Sequence, residues 1–340
     1  MTGRMRAAVV TQFRNPLELR EVPVPEPGWG EVLVRVRACG VCHTDLHTIH
    51  GDWPDKPALP RIPGHEAVGE VVALGPGVEL HHIGDRVGVP WLHEACGRCE
   101  QCMSGWETLC ARQRRTGYDV DGGFADFVVA RADFAVQLPA GLSYEQAAPL
   151  MCAGLTVYKG LMMTDSAPGD WVVVSGVGGL GHLAVQYARA MGLRVVATDI
   201  DDAKLTLAAR LGANLTVNVR EADPVSYVQR TVGGAHSALV TAVSPAAFGQ
   251  TVAMMRPGGT VVLNGLPPGD FPINIYDMVM RAITLRGSIV GTRYDLDRAL
   301  ALATQARIEA TVHPARLDDV NDVLAKLEGS PLPGRTVLEF

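Results

Sequence analysis

The pattern of hydrophobic and polar positions divides the chain into two parts. In the first 150 residues, short runs rich in β-branched residues alternate with proline and glycine, and helical spacing is scarce. The run Glu31-Val-Leu-Val-Arg-Val-Arg alternates polar with apolar side chains over most of its length, as a half-buried strand does. This part predicts a twisted β-barrel with functional loops. Its predicted strands cover residues 5–10, 17–22, 31–38, 66–74 and 124–130.

From about residue 170 the pattern changes to alternating strands and helices. Residues 171–175 form a continuous apolar run, which is typical of a strand in a parallel sheet covered on both faces. Residues 180–191 have helical spacing, and residues 194–198 form the next strand. Further strands are predicted at 215–218, 238–241, 260–263 and 284–288. Six strands make a doubly wound Rossmann sheet, so the predicted fold class is α/β.

A length of 340 residues fits two domains. The nucleotide-binding Rossmann domain is predicted at 154–289. The catalytic, barrel-like domain is predicted at 1–153 and 290–340, because the strand-like end at 336–340 returns to the first part of the chain.

Composition and charge exclude several classes of function. The net charge of −6 argues against a nucleic-acid partner. The longest N-terminal apolar run, at residues 7–10, is too short for a signal peptide, and the sequence has no uninterrupted apolar stretch of about 18 residues. The sequence therefore predicts a cytoplasmic protein without a membrane segment.

A glycine motif follows the strand at 171–175. The motif is a G-x-G-x-x-G match in an ordered context of strand, glycine turn, helix, strand and acid, and its glycines are Gly176, Gly178, Gly179 and Gly181. Such a turn lets the backbone and a helix N-terminus approach a pyrophosphate. Asp199 ends the next strand, where a carboxylate would bind the adenosine ribose. Because a 2′-phosphate would be repelled there, NAD is favoured over NADP, unless a cation such as Lys204 intervenes. The alternative for Asp199 is a solvated turn.

Four of the seven cysteines lie within 15 residues, in the spacing C-x2-C-x2-C-x7-C. They are Cys96, Cys99, Cys102 and Cys110. Four thiolates suit a closed, structural zinc that stabilises a lobe at about 93–112. An iron–sulfur cluster and an absence of metal are the alternatives, but the spacing after the third cysteine is not that of a ferredoxin.

A second set of candidate ligands is spread along the chain. Cys42, His65 and Cys152 would give zinc three protein ligands and leave the fourth position open, as a catalytic zinc requires. Spacing alone does not separate this hypothesis from a buried cysteine and a surface histidine.

Together these residues resemble the zinc-dependent medium-chain alcohol dehydrogenases, in particular the tetrameric bacterial and yeast ethanol-type branch. The resemblance covers essentially the whole chain. It rests on motifs that begin at Cys42, Gly64, Gly117 and Cys152, and on the glycine turn. It implies a chaperonin-10-like barrel for the first domain, NAD as cofactor, two zinc ions per subunit and a homotetramer.

The resemblance also implies roles for individual residues, beginning with zinc binding by Cys42, His65 and Cys152. The catalytic positions are Thr44 (contact with the substrate oxygen), Asp45 (orientation of the zinc histidine), His47 (outer end of a proton relay) and Glu66 (approach to the zinc during ligand exchange). The cofactor positions are His43 and Arg335 at the pyrophosphate, and Thr156, Leu180, Leu266 and Val290 around the nicotinamide. Trp53 and Trp91 match bulky residues of the alcohol pocket, with ordinary core packing as the alternative.

The leading hypothesis is a zinc- and NAD-dependent enzyme that interconverts short primary alcohols and aldehydes, because two large rings would shorten the pocket. A dehydrogenase of secondary, polyol or aromatic alcohols is the second hypothesis. A non-catalytic NAD-binding protein is the third, and the intact set of three zinc ligands argues against it.

Overall fold

The computed structural model describes residues 3–329 and 332–340, which form two compact units. The first unit contains the chain up to Cys152 together with Thr292–Ala301 and Val312–Phe340. The second contains Ala153–Gly291 and Leu302–Thr311. Among the described residues, no helix is long and apolar enough to cross a membrane.

Strands predominate in the first part of the chain, and strands and helices alternate from residue 171 onward, as the hydrophobic pattern predicts; four short strands and three α-helices that the structure describes before residue 150 were not predicted. The strands are β1 (Arg4–Val9), β2 (Glu18–Pro23), β3 (Glu31–Gly40), β4 (Ala67–Leu74), β5 (Arg86–Val89), β6 (Leu92–Glu94), β7 (Arg114–Arg115), β8 (Phe127–Arg131), β9 (Val136–Gln137), β10 (Trp171–Ser175), β11 (Arg194–Asp199), β12 (Leu215–Asn218), β13 (Ala235–Val240), β14 (Met255–Leu263), β15 (Thr284–Gly287), β16 (Val312–Arg316) and β17 (Arg335–Glu339). The α-helices are α1 (His43–His50), α2 (Glu100–Met103), α3 (Tyr144–Ala147), α4 (Ala153–Met162), α5 (Gly181–Ala190), α6 (Asp202–Arg210), α7 (Pro224–Val232), α8 (Pro245–Met254), α9 (Ile275–Met280), α10 (Arg293–Ala306) and α11 (Val320–Gly329).

The second unit is built on a six-stranded parallel sheet in the order β12-β11-β10-β13-β14-β15. Strand β10 lies near the centre, and its residues 172–174 are fully buried, as expected for a sheet with helices on both faces. Strand order reverses on either side of β10, so the turn after this strand lies at the switch point where nucleotides bind in such folds. The predicted six-stranded Rossmann sheet is confirmed.

The first unit is mainly antiparallel. Its largest sheet has the order β16-β17-β3-β4-β5-β9, and β8 also pairs with β3. Two ribbons, β1-β2 and β6-β7, complete the strands. The core of this unit is filled by small branched side chains, among them Val32, Val34, Val71 and Val87, all of them fully buried. This packing leaves the loops between strands to carry the polar, chemically active residues.

One boundary differs from the sequence prediction. Residues 302–311 group with the second unit, whereas the whole of 290–340 was expected in the catalytic domain. The reason is a pair of contacts from α5: Gln186 bonds to both backbone groups of Glu309, and the buried His182 ring accepts a hydrogen bond from the Thr311 amide. Residues 1–2 and 330–331 of the predicted catalytic domain lie outside the described residues.

Candidate active site and metal centres

Cys42, His65, Glu66 and Cys152 converge in the first unit, and each offers a ligand atom within 4.8 Å of the others. All four are buried. Cys42 precedes α1, His65 and Glu66 precede β4, and Cys152 precedes α4. Each candidate ligand therefore lies just before a helix or strand, where the chain changes direction and its side chain can point away from that helix or strand.

The donor set fits zinc. Among the residues that the structure describes, the buried Nε2 atom of His65 has no hydrogen-bond partner, which is costly unless a ligand such as a metal binds it. The pKa of Cys42 lies well below its usual value, first because the Cys152 thiol donates to it and also because Arg335 is near. A thiolate, an imidazole nitrogen and a second thiol are the donors that zinc prefers. Glu66 offers a fourth, carboxylate donor.

Asp45 holds two of these ligands in place. It lies in the first turn of α1 and is almost fully buried. One carboxylate oxygen, Oδ1, is 2.9 Å from His65 Nδ1 and accepts a hydrogen bond from the Gly64 amide. The other, Oδ2, accepts from the Cys42 amide at 2.9 Å. Burial alone would lower the pKa of His65, but the Asp45 carboxylate raises it above its ordinary value. The bond to Nδ1 also directs Nε2 toward the two thiols.

Glu66 and Arg335 form a fully buried ion pair beside the same group. Burial raises the pKa of Glu66 to about 7, although the Arg335 guanidinium opposes the shift. The space is tight, since a Cβ at Gly40 would come 1.8 Å from a Glu66 carboxylate oxygen. The structure thus places Arg335 at the candidate metal group, and its expected contact with a cofactor pyrophosphate stays a prediction.

The other cysteine group forms a lobe of its own. The sulfurs of Cys96, Cys99, Cys102 and Cys110 lie within 4.8 Å of one another, and all four cysteines are free thiols. Hydrogen bonds from the Arg98 backbone and the Arg112 side chain lower the pKa of Cys96 to about 5, which favours the thiolate that binds metal. Four sulfurs in this arrangement fit a closed tetrahedral zinc.

A salt bridge that sequence reasoning missed fastens this lobe to the rest of the first unit. Glu107 lies between the third and fourth cysteines and is buried. It accepts hydrogen bonds from the Arg293 guanidinium, the shortest at 2.8 Å, and from the Arg293 amide. The two residues are 186 positions apart, so no local pattern could have indicated the pair.

Aromatic rings form a continuous cluster beside the candidate metal group. The ring centroid of Trp91 is 5.1 Å from that of His65, and the ring of Trp53 stacks on His47 at 5.3 Å. The two indoles lie 6.0 Å apart, and the fully buried Tyr118 is within 6.0 Å of both. The rings that the sequence singled out are therefore close together and next to a zinc-ligand candidate, while Tyr118 received no role from the sequence.

Thr44 and His47 lie on α1, where residues three apart share a face. Both are half-buried. The Nδ1 atom of His47 is 3.4 Å from a carboxylate oxygen of Asp52, beyond the C-terminal end of the helix. Helix α1 is followed by the capping residue Gly51, which has a positive φ of 63°. His43 is the first residue of the helix, and burial lowers its pKa.

The glycine turn of the second unit has the geometry of a dinucleotide site. Gly176 follows β10 with a φ of +91°, a conformation that favours glycine. A Cβ at Gly181 would lie 1.9 Å from the Gly176 carbonyl oxygen, so α5 begins in direct contact with the turn. At Gly178, by contrast, a Cβ would meet no atom of the described residues within 4 Å, which leaves this backbone open to a ligand.

Asp199 ends β11 and turns back to the glycine turn. One carboxylate oxygen accepts a hydrogen bond from the Val177 amide at 2.7 Å, and the other accepts from the Ile200 amide at 2.7 Å. The carboxylate is thus held in place by backbone donors. Lys204 lies nearby along the chain, in α6.

The remaining candidate cofactor residues lie at different places in the second unit. Thr156 is buried in α4, Leu180 precedes α5, and the exposed Leu266 follows β14. Val290 follows β15 with a φ of +45°, which is strained for a β-branched residue. Such strain clusters at functional sites, and here it coincides with a position expected at the nicotinamide.

Comparison with known proteins agrees with both units. A family model described as "Alcohol dehydrogenase GroES-like domain" matches residues 28–140, and one described as "Zinc-binding dehydrogenase" matches residues 179–305. The alcohol dehydrogenase of Moraxella sp. (strain TAE123) is 54% identical over 336 residues, which cover 99% of each chain.

Solved structures agree as well. That of the alcohol dehydrogenase from the archaeon Aeropyrum pernix is 34% identical, has a TM-score of 0.90, and covers 98% of this chain and 100% of its own. A putative zinc-binding dehydrogenase from Sinorhizobium meliloti 1021, bound to NADP, is 30% identical with a TM-score of 0.91 and covers 99% and 100%.

The site and the fold define a zinc-binding oxidoreductase that uses a nicotinamide cofactor. The chain belongs to the zinc-dependent medium-chain alcohol dehydrogenase family. It is an alcohol dehydrogenase, and its first domain is GroES-like, as the sequence predicted.

Proposed function

We propose that this alcohol dehydrogenase acts on short primary alcohols. The observation that carries the proposal is the pair of indoles beside the metal group, with Trp91 5.1 Å from His65 and Trp53 6.0 Å from Trp91. Large rings in these positions would shorten the alcohol pocket, which favours a short chain. The reaction is the reversible transfer of a hydride from the alcohol carbon to NAD⁺, giving an aldehyde, NADH and a proton.

Cys42, His65 and Cys152 would hold the catalytic zinc, and Cys96, Cys99, Cys102 and Cys110 a structural zinc. The orphaned nitrogen of His65 and the close set of four sulfurs support a count of two per subunit. A bound zinc supplies Lewis-acid polarisation of the alcohol oxygen. Asp45 orients the His65 ring. Glu66 is the carboxylate available for ligand exchange. The Arg335 guanidinium compensates the negative charge of this buried carboxylate.

The proton of the alcohol has to leave a buried site. Thr44 is proposed to contact the substrate oxygen, and His47, on the same face of α1, is proposed to pass the proton outward. An imidazole suits this task because it can both accept and donate a proton. The contact between His47 and the exposed loop that carries Asp52 supports this outer position.

NAD is proposed as the cofactor in preference to NADP. Asp199 is held by the amides of Val177 and Ile200, so it cannot move away readily from a 2′-phosphate. Placing two like charges together costs several kcal/mol. Lys204 is proposed to contact the ribose.

Further cofactor contacts are proposed from the sequence motifs. In the first unit, His43 and Arg335 are proposed as pyrophosphate contacts. In the second unit, the turn formed by Gly176, Gly178, Gly179 and Gly181 is proposed to bind the dinucleotide. The nicotinamide would be bounded by Thr156, Leu180, Leu266 and Val290. The open backbone at Gly178 and the strained Val290 support these assignments.

A homotetramer in the cytoplasm is proposed for the assembly and its location. Within the described part of the chain, strand β15 pairs with β14 alone, so one of its edges is available to a second copy of the chain. Helix α9 carries exposed apolar side chains in the same part of the chain, at Ile275, Tyr276, Val279 and Met280. Seven free cysteines, six of them in the two metal groups, suit a reducing compartment.

The test is NADH formation by zinc-replete enzyme with NAD and a series of primary and secondary alcohols. We expect the highest kcat/KM with short primary alcohols, and loss of activity on zinc chelation. A preference for bulky secondary alcohols would refute the proposed substrate class. A preference for NADP would refute the assignment of Asp199.

A further inference from the structure

The turn at residues 115–119, called here the anchoring turn, follows the four-cysteine lobe and has no role in the chemistry described so far. It is closed on itself, because Asp119 accepts hydrogen bonds from the amide of Arg115 at 2.8 Å and from its Nε atom at 2.6 Å. The guanidinium of Arg115 lies 4.3 Å from the centroid of the Tyr118 ring. Arg115 thus joins the first residue of the turn to the last and also packs against the ring of Tyr118.

The anchoring turn holds the loop that carries Trp53. This loop, at residues 52–61, is largely exposed and begins after the end of α1. The hydroxyl of the fully buried Tyr118 donates to the backbone carbonyl of Asp55 at 2.6 Å, two residues beyond Trp53. Arg115 donates to the Asp55 carboxylate at 2.7 Å. These bonds leave little freedom for the loop to move Trp53 away from Tyr118.

On the other side of Trp53 the loop is held by Arg14, whose guanidinium bonds to Asp52 at 2.9 Å. Both ion pairs have one exposed member, since Arg14 is 73% exposed and Asp55 is 65% exposed. Exposed ion pairs contribute little to holding a geometry, so the bond from the buried Tyr118 to the Asp55 carbonyl is the main restraint, and Arg115, 18% exposed, packs against that ring.

The same turn also holds Trp91. The Thr116 amide donates to the Trp91 carbonyl at 2.8 Å, and the Thr116 hydroxyl donates to the Pro90 carbonyl at 2.8 Å. Gly117 has a φ of +73° and packs so closely that a Cβ there would lie 2.9 Å from the amide nitrogen of Gly64, the residue before His65. One short segment therefore contacts both tryptophans and the backbone that presents a metal ligand.

We propose that the anchoring turn is the positioning element that sets the size limit of the alcohol pocket, with Tyr118 and Arg115 as its specificity-determining residues. The inference rests on the proposed function, in which Trp53 and Trp91 bound the substrate. It assigns the selectivity not to the indoles alone but to the bonds that keep the Trp53 loop closed.

The test is the variant Tyr118→Phe, which removes a single hydroxyl and keeps the ring. The lost hydrogen bond frees the loop, so we expect KM for ethanol to rise about 3–10-fold, since such a bond contributes about 0.5–1.5 kcal/mol. The ratio of kcat/KM for hexan-1-ol to that for ethanol should rise by a similar factor. The values of kcat and of KM for NAD should stay within about twofold, because neither hydride transfer nor the cofactor site depends on this hydroxyl.

Arg115→Lys is the second variant, and it decides the question if Tyr118→Phe does not yield folded protein. A lysine cannot hold two carboxylates as the guanidinium fork does, so the same shift in the alcohol ratio is expected. The matched controls are Tyr294→Phe, at an exposed tyrosine, and Arg114→Lys, in an exposed pair with Glu94. Both controls should keep the wild-type ratio.

These measurements distinguish a failure of the proposed function from a failure of the proposed role of the anchoring turn. A wild-type enzyme without activity on primary alcohols would refute the proposed function. A wild-type enzyme that prefers short alcohols, together with folded variants that keep its hexan-1-ol to ethanol ratio, would overturn the role of the anchoring turn alone. An equal fall in kcat for every alcohol would also overturn it, because a general loss of activity is not a change of pocket size.

Discussion

Replacing Asp45 by asparagine should weaken the candidate catalytic metal site without changing any of its ligands. The carboxylate is almost fully buried and satisfies three donors: His65 Nδ1, the Gly64 amide and the Cys42 amide. Asparagine has the same shape, but only one of its two terminal atoms accepts hydrogen bonds. The substitution therefore tests the charge and the acceptors separately from the packing.

The size of the effect follows from the geometry. If the amide oxygen stays toward His65 and Gly64, the amide nitrogen faces the Cys42 amide, and two donors meet in a buried place. One charge-assisted bond is lost, and the Cys42 amide and the new amide nitrogen are both left without an acceptor, which costs about 1–3 kcal/mol for each unsatisfied donor. The bond to His65 also loses the negative charge that raises the pKa of the imidazole. We expect zinc affinity at this site to fall about 10–100-fold, the usual range for such supporting residues.

The assay is competition for zinc with a chromophoric chelator at fixed pH, with metal content per subunit measured alongside. The four-cysteine lobe is the internal control, since the bonds of Asp45 go to other residues, and its zinc should dissociate at the wild-type rate. Asp126→Asn is the matched substitution, because this more exposed carboxylate bonds to the backbone of Arg6. Wild-type zinc affinity in Asp45→Asn, with the variant folded, would show that Asp45 does not support the metal site.

Four further predictions concern the cofactor turn, Asp199 and the four-cysteine lobe. Gly178→Ala should keep the wild-type melting temperature but weaken NAD binding, measured by titration, because its Cβ meets no protein atom and would face the pyrophosphate. Gly181→Ala should instead reduce the free energy of unfolding by about 1–3 kcal/mol or more and so lower the melting temperature, because its Cβ would lie 1.9 Å from the Gly176 carbonyl oxygen. Asp199→Ser should raise the ratio of kcat/KM for NADP to that for NAD about 10–100-fold, and an unchanged ratio would count against a ribose carboxylate here. Cys102→Ser should remove one zinc per subunit and lower the melting temperature, as seen by metal analysis and calorimetry, and a full zinc content would contradict the four-sulfur site.

The sequence predicted the second unit well because its signals are local. A buried parallel strand is a continuous apolar run, and the glycine turn needs its glycines for reasons of backbone space at residues such as Gly181. The main difference was β14, which begins at Met255, earlier than the predicted 260. The intervening Pro-Gly-Gly pattern indicates a turn, and the structure accommodates it through a register shift against Ala235.

The sequence could not predict the contacts that support the site, because these join residues far apart in the chain. Tyr118 reaches Asp55 across 63 positions, Arg335 reaches Glu66 across 269, and no periodicity relates them. The resemblance to a family supplied a cofactor role for Arg335, but it gave no reason to expect a buried carboxylate as its partner. Only packing in three dimensions defines such pairs.

The two metal groups also differ in whether their ligands are close together or far apart in the sequence. The four-cysteine lobe takes all its ligands from 15 residues, and its α2 helix has only four, so besides the Glu107–Arg293 salt bridge a metal is the main group that can order it. In the other group, 22 residues separate Cys42 from His65, and 109 separate it from Cys152. Each of these ligands lies next to the end of a helix or strand. Asp45 already fixes the His65 ring through protein contacts alone. Folding therefore prepares this second site, and loss of its metal should cost chemistry before it costs structure, whereas loss of the lobe metal should do the reverse.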